Sequence, residues 1–504
     1  MFRKEMVSAF STVLLLTACS GEPETAAPAA DAASTPAAPA ASVLPAAVAA
    51  LGASELASIT YSGTAWRVRN SFRQTPSASP PWPSRDTITN YRRTIDLTTP
   101  AQPVSLALGD TFASNLFLDP PVAGTYTQNI QATQTAWGQQ LEVWLTPWGF
   151  LKGAELYGAT EVPATVDGAS LTAVTWQTPT TQVSPSGLQY TVTGYINSQN
   201  LVERVETKVE DAFMGDMAVA NVYSDYKDFG GGLMVPATIE QQRGGGGIFG
   251  VTVEAASANP ANLAELTTPP PPPTPPGGGA PAPAPAGGAP AAPVELSQQI
   301  AEGVYWIKTG YTALAVEFTD YIAVFEAGGP AGPAIGEQIL AEVKRLFPGK
   351  EIRYVINSHP HSDHTGGLPP FAREGVTIVT HANNVDFLNM ALSTPRTLLG
   401  EETLMPKFEA VNDMYVLEDA NHRLELHHIP NDHTDGMLVA YLPKERVLIE
   451  ADFTLPVNGA KANPFVINLA NYVDTHGLDF DQYLAVHAAA VPQTKKDLMA
   501  TIGK

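Results

Sequence analysis

The chain has 504 residues, far more than one typical domain, so we expect two or three folded units joined by connectors. Its 50 acidic residues outnumber its 28 basic residues, and the formal net charge of −22 disfavours a nucleic-acid partner because phosphate backbones need clustered Lys and Arg. Cys19 is the only cysteine, which excludes an intramolecular disulfide and thiolate metal ligands in the folded parts.

Residues 1–18 are organised like a secretion signal. Two basic residues precede a short apolar run that ends at Leu16, and small residues lead to Cys19. The run is shorter than the roughly 20 residues that span a bilayer. The segment resembles a bacterial lipoprotein signal with its lipobox. This resemblance implies cleavage before Cys19, acylation of that cysteine and attachment to a membrane through the N-terminal lipid. Because Ser20 follows, we expect an outer-membrane lipoprotein of the cell envelope that faces the periplasm or the exterior.

Two low-complexity segments divide the rest of the chain. Residues 19–50 are mostly Ala, Pro, Ser and Thr, a composition that buries too little apolar surface to offset the entropy of ordering, so we expect a disordered tether. Residues 268–293 are rich in Pro, Gly and Ala and predict a semi-stiff linker. The two predicted folded parts are therefore residues 51–267 and residues 294–504.

The N-terminal part, residues 51–267, is predicted to be β-rich. Apolar residues such as Tyr190 and Val192 alternate with polar ones, and Gly and Pro interrupt the pattern. The part contains no histidine and no recognisable catalytic motif. Residues 222–230, 235–239 and 258–260 resemble the closing strands of LolA-like lipoprotein-carrier domains, which would imply a curved antiparallel sheet able to hold an acyl chain. The alternative is a β-rich scaffold without activity of its own.

The C-terminal part, residues 294–504, alternates predicted strands and helices and belongs to the α/β class. Strands are predicted at 304–307, 314–318 and 321–325. Apolar residues then recur at helical spacing from Ile335 to Phe347, and a strand at 352–357 follows.

Four candidate metal ligands follow that last strand within six residues. They are His359, His361, Asp363 and His364, and two glycines after them allow the backbone to turn tightly. Imidazole nitrogens and carboxylate oxygens are ligands of zinc and neighbouring metals. The spacing favours a metal site over a solvated His-rich loop.

The order of elements and the HxHxDH pattern resemble the metallo-β-lactamase superfamily, which implies an αββα sandwich for residues 294–504. On this resemblance, His433 in Asn431–Gly436 is a further ligand, Asp452 at the end of Val447–Asp452 is a bridging carboxylate, and His487 is the last histidine. The resemblance implies two metal sites with a shared carboxylate. Their ligands are His359, His361 and His433 for the first ion, Asp363, His364 and His487 for the second, and Asp452 for both.

The chemistry implied is hydrolysis by a hydroxide that bridges two metal ions, with Asp363 and Asp452 as the catalytic carboxylates. Two zinc ions per chain are expected, with iron or manganese as alternatives because the ligands do not distinguish them. The expected substrate is a small ester, lactone, lactam or thioester. Two alternatives stay open: a lipid- or lipoprotein-binding envelope protein with an accessory metal domain, and an iron-dependent enzyme of the sulfur dioxygenase type.

Three positions depart from the family pattern. His487 lies between Val and Ala instead of two glycines, Glu326 stands where Asp is usual, and Asp432 replaces a glycine before His433. Glu326 is expected to be structural, and Asp432 either to hydrogen-bond a ligand or to face solvent.

The remaining histidines are predicted to be outside the metal sites. His381 is expected to be structural or to cap a helix, and His427 and His428 to point to opposite faces of a strand. His422 and His476 are expected to be solvated.

Overall fold

The computed structural model describes residues 42–68, 85–97, 105–113, 123–131, 137–267, 296–329, 332–431, 433–456, 460–487 and 492–504. The predicted lipidation site at Cys19 and the predicted linker at 268–293 lie outside these ranges. The chain from Ser42 to Lys504 forms one compact unit. Within the described ranges, no helix is long and apolar enough to cross a membrane.

The N-terminal part is built around one large antiparallel sheet. Its elements, in chain order, are α1 (Leu44–Ala50), β1 (Ser58–Val68), β2 (Arg85–Asp96), β3 (Ser105–Ala113), β4 (Ala123–Gln131), α2 (Trp137–Trp144), α3 (Pro147–Tyr157), β5 (Thr160–Val166), β6 (Ala169–Gln177), β7 (Thr191–Ile196), β8 (Val202–Asp211), β9 (Gly215–Asp228), β10 (Met234–Arg243), β11 (Gly246–Ala258) and α4 (Leu263–Thr267). The eleven strands are ordered β4-β3-β2-β1-β11-β10-β9-β8-β7-β6-β5. The prediction of a β-rich N-terminal part is confirmed, and the LolA-like resemblance stays a prediction.

Helix α1 corrects the expectation of a disordered tether as far as residue 50. Alanine has the highest helix propensity, and Ala47 and Leu51 are completely buried, so this short segment gains packing energy that offsets the entropy of ordering it. The Glu161 carboxylate also accepts a hydrogen bond from the Val43 backbone N–H at 2.9 Å, next to the first turn.

Aromatic side chains form the core between the sheet and helices α2 and α3. Trp144 and Trp176 meet edge to face with ring centroids 5.6 Å apart. Two glycines make room for this packing: a Cβ at Gly153 would lie 2.4 Å from the Trp176 ring, and a Cβ at Gly194 would lie 2.3 Å from the Phe150 ring. A large apolar core is thus filled by helices of the same part of the chain.

The C-terminal part contains two sheets. Its elements are β12 (Ser297–Ala301), β13 (Val304–Lys308), β14 (Thr312–Glu317), β15 (Tyr321–Phe325), α5 (Ala334–Leu346), β16 (Glu351–Ile356), α6 (Ser362–Thr365), α7 (Leu368–Arg373), β17 (Thr377–His381), α8 (Ala382–Leu392), β18 (Lys407–Val411), β19 (Met414–Glu418), β20 (Arg423–His428), β21 (Leu438–Leu442), β22 (Val447–Glu450), α9 (Pro464–His476), β23 (Gln482–Ala485) and α10 (Lys495–Met499), followed by a 3₁₀ turn at Ala500–Ile502. One sheet has the order β12 to β18 and the other the order β19 to β23.

The two sheets pack face to face around an apolar core. Trp306 and Phe325 from the first sheet and Leu426 and Tyr483 from the second belong to this core. Helices α5, α7 and α8 cover the outer face of the first sheet, and α9 and α10 cover the second. The predicted αββα arrangement is confirmed, because each sheet buries one face against its partner and the other against helices.

Strand direction brings several strand ends together at one edge of the sandwich. Strands β15, β16 and β17 are parallel to one another, and so are β22 and β23 in the second sheet. Loops that follow the carboxyl ends of parallel strands lie at a common edge. The loop after β16 and the turns after β22 and β23 carry six of the seven predicted metal ligands.

The N-terminal sheet packs against the C-terminal part through the turn between β8 and β9. The guanidinium of Arg396, which is 1% exposed, donates to the Ala212 carbonyl at 2.7 Å. The Asp216 carboxylate accepts hydrogen bonds from the Leu398 backbone N–H at 2.9 Å and from the Thr397 hydroxyl at 2.6 Å. The Phe213 ring lies 5.9 Å from Phe387 on α8, between ring centroids. Polar and apolar contacts therefore join the two parts.

The strand that follows this turn needs glycine at its first position. Gly215 has a φ of +63°, and a Cβ there would lie 2.5 Å from the Pro395 carbonyl oxygen. The backbone N–H of Asp216 donates to the same carbonyl at 2.7 Å. Close approach of the two backbones is what lets the Asp216 carboxylate reach the 397–398 segment.

We expect Asp216→Ala to destabilise the full chain by about 2 kcal/mol, because it leaves the buried Leu398 N–H without its acceptor and removes the partner of Thr397. The exposed carboxylate of Glu254 on β11 gives a matched control, and Glu254→Ala should change stability by less than about 0.5 kcal/mol. The denaturant midpoint, followed by circular dichroism, measures both. Equal midpoints for the two variants would show that the contact contributes nothing.

Candidate metal centre

Buried side chains hold the loop after β16 in place. Asn357 is completely buried; its Nδ2 donates to the His364 carbonyl at 3.2 Å, and its Oδ1 accepts from the Thr380 hydroxyl at 3.2 Å. Gly367 ends the loop against the Ala327 carbonyl oxygen, which would lie 1.9 Å from any Cβ at this position. The loop therefore has a fixed path before any ligand is considered.

The first group of candidate ligands contains His359, His361, His433 and Asp452, and their ligand atoms all lie within 4.8 Å of one another. The imidazoles of His359 and His361 are 0% and 1% exposed. Nε2 of His359 lies 3.1 Å from Asp452 Oδ2, and Nε2 of His433 lies 2.6 Å from the same oxygen. Ser358 Oγ is 2.9 Å from Nδ1 of His359 and can fix its ring orientation.

The second group contains Asp363, His364, Asp452 and His487, again within 4.8 Å. Nε2 of His364 lies 3.1 Å from Nε2 of His487 and 3.2 Å from Asp452 Oδ1. Asp363 Oδ2 is 3.4 Å from Nε2 of His364 and 3.5 Å from Nε2 of His487. His487 also contacts Asp452 Oδ1.

Asp452 joins the two groups because its two oxygens face different ones. Oδ2 faces His359 and His433, while Oδ1 faces His364 and His487. The residue has a φ of +66°, which is uncommon for a non-glycine residue and costs energy unless neighbours enforce it. One such neighbour is Glu450, whose carboxyl accepts a hydrogen bond from the Phe453 backbone N–H at 2.7 Å.

Three ligand-atom separations in the second group fit a tetrahedral metal ion. Bonds of 2.0–2.1 Å to nitrogen or oxygen place ligand atoms about 3.3 Å apart. The separations of 3.1–3.5 Å between His364, His487 and Asp363 match this value. Asp363 Oδ1 is buried and has no hydrogen-bond partner among the described residues. The donor set, with imidazole nitrogens and carboxylate oxygens only, suits zinc, iron or manganese.

Burial and neighbouring charges set the protonation states. Burial lowers the pKa of His359 to about 4 and that of His361 well below its usual value, so both imidazoles are neutral. Burial alone would raise the pKa of Asp452, but His364 and His359 beside it hold that pKa well below its usual value. Neutral imidazole and ionised carboxylate are the forms that bind metal.

His364 is different because carboxylates surround it. Burial lowers its pKa, but Asp452, Glu326 and Asp363 together raise the pKa well above its usual value. The protonated ring thus neutralises part of the negative charge of the surrounding carboxylates. A divalent ion would neutralise the same charge and displace that proton.

Glu326 orients His364. It is completely buried, with a φ of +74°; its Oε2 accepts from Nδ1 of His364 at 3.0 Å and its Oε1 accepts from the Ser358 backbone N–H at 2.9 Å. A carboxylate on the outer nitrogen of a metal-binding histidine fixes the ring and raises its basicity. The structural role expected for this position therefore includes direct contact with a candidate ligand.

Two aromatic rings that the sequence analysis did not single out lie beside the ligand groups. The Tyr311 hydroxyl donates to Asp363 Oδ2 at 3.3 Å, and burial raises its pKa to about 12. The Phe465 ring lies 5.1 Å from that of His433, between centroids. The only sequence signal for Tyr311 is its place in a Gly-Tyr-Thr turn between two strands.

The remaining histidines lie outside both groups. His381 caps α8 by accepting a hydrogen bond from the Asn383 backbone N–H at 3.2 Å, as predicted. His427 contacts Tyr472, whereas His428 stacks on His381, so these neighbours do point to opposite faces. The expectation that His422 is solvated is wrong.

His422 is 7% exposed because its ring pairs with Glu445 at 2.8 Å, a partner that lies 23 residues away in the chain. His476 is exposed, as expected. Asp432 lies outside the described residues.

Comparison with known proteins finds a match within the C-terminal part. Residues 310–491, which are 182 of the 504 residues, match the sequence profile of the metallo-beta-lactamase superfamily. No curated protein is significantly similar to the chain in sequence.

The solved structures that match part of the chain are distant from it in sequence. A metallo-beta-lactamase from Pontibacter korlensis is 16% identical over 41% of this chain and 97% of its own, with a TM-score of 0.32. A stereoselective inverting sec-alkylsulfatase from Pseudomonas sp. is 13% identical over 41% of this chain and 40% of its own, with a TM-score of 0.31. The flavodiiron protein from Giardia intestinalis is 16% identical over 41% of this chain and 57% of its own, with a TM-score of 0.31.

The cap at His381 predicts a specific dependence of stability on pH. Burial and the adjacent His428 lower its pKa to about 4, compared with about 6.5 in the unfolded chain. Its stabilising effect is therefore complete above pH 6.5 and is lost as the pH falls towards 4, where only the unfolded chain binds the proton readily. Asparagine caps helices without titrating.

We expect the stability advantage of the wild type over His381→Asn to shrink between pH 7 and pH 4.5. Chemical denaturation at a series of pH values measures this difference, with His476→Asn as the exposed-histidine control. Parallel pH profiles for the wild type and His381→Asn would contradict the assignment.

Proposed function

We propose that the metallo-beta-lactamase superfamily domain at residues 310–491 is a hydrolase that uses two divalent metal ions, zinc being the first expectation, on a small ester, lactone, lactam or thioester. Members of this superfamily are mostly metal-dependent hydrolases, although some are not. The observation that carries the proposal is the shared carboxylate of Asp452, which turns one oxygen to each ligand group.

Seven side chains would hold the ions. His359, His361 and His433 would bind the first, and Asp363, His364 and His487 the second, with Asp452 common to both. Two such ions supply a hydroxide nucleophile at neutral pH and polarise the oxygen of the group under attack. No serine or cysteine nucleophile is then required.

The carboxylates of the chain have two distinct tasks. Asp452 is ionised and offsets the positive charge at the centre of the site. Asp363 faces the second group through Oδ2, and its Oδ1 has no hydrogen bond within the described structure. Burial alone would raise the pKa of Asp363, but His364 beside it holds that pKa well below its usual value, so the carboxylate stays ionised and Oδ1 can accept a hydrogen bond from the attacking water.

Aromatic rings give the site an apolar side. Phe465 lies next to His433 of the first group and 6.1 Å from Phe453, between ring centroids. Phe465 is only partly buried and offers an apolar surface next to the first group, which suits the uncharged carbon skeleton of a small substrate. This environment agrees with an acyl-type substrate of modest size.

Metal analysis and a substrate panel on the full chain test the proposal. We expect two ions per chain and turnover of at least one ester, lactone, β-lactam or thioester. His361→Ala removes a buried ligand of the first group and should lower kcat/KM by about a thousandfold, which corresponds to several kcal/mol of transition-state stabilisation. His476→Ala, at an exposed histidine of α9, is the matched control and should leave both metal content and activity unchanged.

Activity that survives His361→Ala would refute the mechanism. An iron-loaded protein that consumes oxygen with a sulfur substrate would instead support the sulfur dioxygenase alternative. The full chain is the appropriate sample because the two parts are joined by buried contacts at Arg396 and Asp216.

We also propose that the protein is an outer-membrane lipoprotein, on the support of the sequence around Cys19. A lipid on this residue would restrict the substrate to small molecules of the cell envelope or the exterior. Cys19→Ser should abolish the incorporation of a labelled fatty acid into the protein, as immunoprecipitation after labelling of the cells would show. Incorporation that persists at the wild-type level in this variant would refute lipidation at Cys19.

A further inference from the structure

Tyr311 lies at the tip of the hairpin between β13 and β14, beside the second ligand group. Its hydroxyl donates to Asp363 Oδ2 at 3.3 Å. Its ring meets that of His487 edge to face, with centroids 4.8 Å apart, and lies 6.0 Å from that of His364. These contacts connect one side chain to three members of the second group.

The backbone around Tyr311 is fixed by the residues on either side of it. The backbone N–H and the hydroxyl of Thr309 both donate to the Tyr311 carbonyl, at 3.2 and 2.9 Å. On the other side, the backbone N–H of Thr312 donates to the Val486 carbonyl at 3.0 Å, and its hydroxyl donates to the Ala485 carbonyl at 2.8 Å. The hairpin is thus bonded to the strand that delivers His487.

Gly328 makes room for the tyrosine ring. A Cβ at this position would lie 2.9 Å from the Tyr311 Cβ, and the backbone has a φ of +44°. Gly328 directly precedes Gly329, whose N–H donates to the Asp363 carbonyl at 2.6 Å. Tyr311 therefore occupies a space bounded by segments that also hold Asp363 and His487.

We propose that Tyr311 is a positioning residue for the second metal ion, an inference that rests on the proposed metal-binding function. Its hydroxyl would fix the rotation of the Asp363 carboxylate, and its ring would restrict the imidazole of His487. All three contacts of Tyr311 are with members of the second group, so the effect of Tyr311 on the first ion should be small.

The second group needs such support more than the first. The side chain of His487 is 30% exposed, whereas in the first group that of His359 is completely buried and that of His433 is 17% exposed. An exposed ligand that is free to rotate must be ordered when it binds, and this ordering reduces affinity. A phenol keeps its proton at neutral pH, so the hydroxyl of Tyr311 stays a donor to the ionised Asp363.

Calorimetric titration of the full, chelator-treated chain with Zn²⁺ tests the proposal. Tyr311→Phe removes only the hydroxyl and should weaken the second ion by about tenfold, the lower end of the range for such partners because the hydrogen bond is long. The first ion should bind within about twofold of the wild-type affinity. Tyr311→Leu also removes the ring and should weaken the second ion further.

Two further variants make the measurement specific. Tyr305→Phe alters a tyrosine on the same hairpin whose ring packs edge-on against Phe347, 5.5 Å away, and should leave both binding phases unchanged. His487→Ala removes a ligand of the second group and identifies which phase belongs to it. Thermal unfolding of the chelator-treated variants checks that the fold is intact.

The outcomes separate this inference from the function on which it rests. A wild type that binds two ions, together with Tyr311→Phe that binds both with wild-type affinity, would overturn the role of Tyr311 and leave the proposed function standing. Equal weakening of both ions would overturn it too, because the effect would then be general. A wild type that binds no ion would overturn both proposals.

Discussion

The concentration of negative charge around one buried imidazole is the constraint on which the C-terminal part depends. Glu326, Asp363 and Asp452 all approach His364, and the first of them is completely buried. Ionised carboxylates in a low-dielectric interior are costly unless a positive partner lies close to them. A single protonated histidine compensates for only one of the three charges. The arrangement is therefore understandable as a binding site for divalent cations, which would balance the remaining charge as well as satisfying the ligand atoms.

The two-sheet architecture explains how this charge can be held in place. Each strand end fixes one part of the site: β15 leads to Glu326, β22 to Asp452 and β23 to His487. The strands themselves are anchored by the apolar core between the sheets, so the positive φ values of Glu326 and Asp452 are enforced by packing on either side. Glu450 lies in the same buried surroundings. Burial raises the pKa of its carboxyl to about 8, so this side chain is mostly neutral at pH 7. The core thus supplies the rigidity, and the strand ends supply the charge.

The sequence predicts those features of the site that depend on neighbours along the chain. The cluster from His359 to His364 can be predicted because four candidate ligands occur within six residues after a strand. Helix α5 can be predicted from the helical spacing of its apolar residues, of which Ile339 and Val343 are buried. His433, Asp452 and His487 are far away in the chain and were found only through a family resemblance. The structure brings all of them to within ligand distance of the first cluster.

Contacts between distant segments could not be predicted in the same way. The roles of Glu326 and Tyr311 depend on partners 38 and 52 residues away, and His422 is buried by a pairing with Glu445 that its polar surroundings do not indicate. Helix α1 has the composition predicted for a tether, and it is held by the burial of Ala47 and Leu51 against distant parts of the chain. In each case the deciding interaction is tertiary, so local pattern and composition were uninformative.

Tertiary contacts also connect the N-terminal half of the chain to the candidate ligands. Phe213 from the N-terminal sheet packs against α8, and α8 carries Asn384, whose Nδ2 donates to the Gly436 carbonyl at 2.8 Å and to the Thr380 hydroxyl at 3.1 Å. Thr380 in turn donates to Asn357, which holds the His364 carbonyl. Helix α8 therefore ties the segment after His433 to the loop that carries the first cluster, and Phe213 from the turn between β8 and β9 packs on that helix. A contact from the N-terminal part thus limits how far α8 moves, and α8 in turn holds the backbone next to two of the candidate ligands.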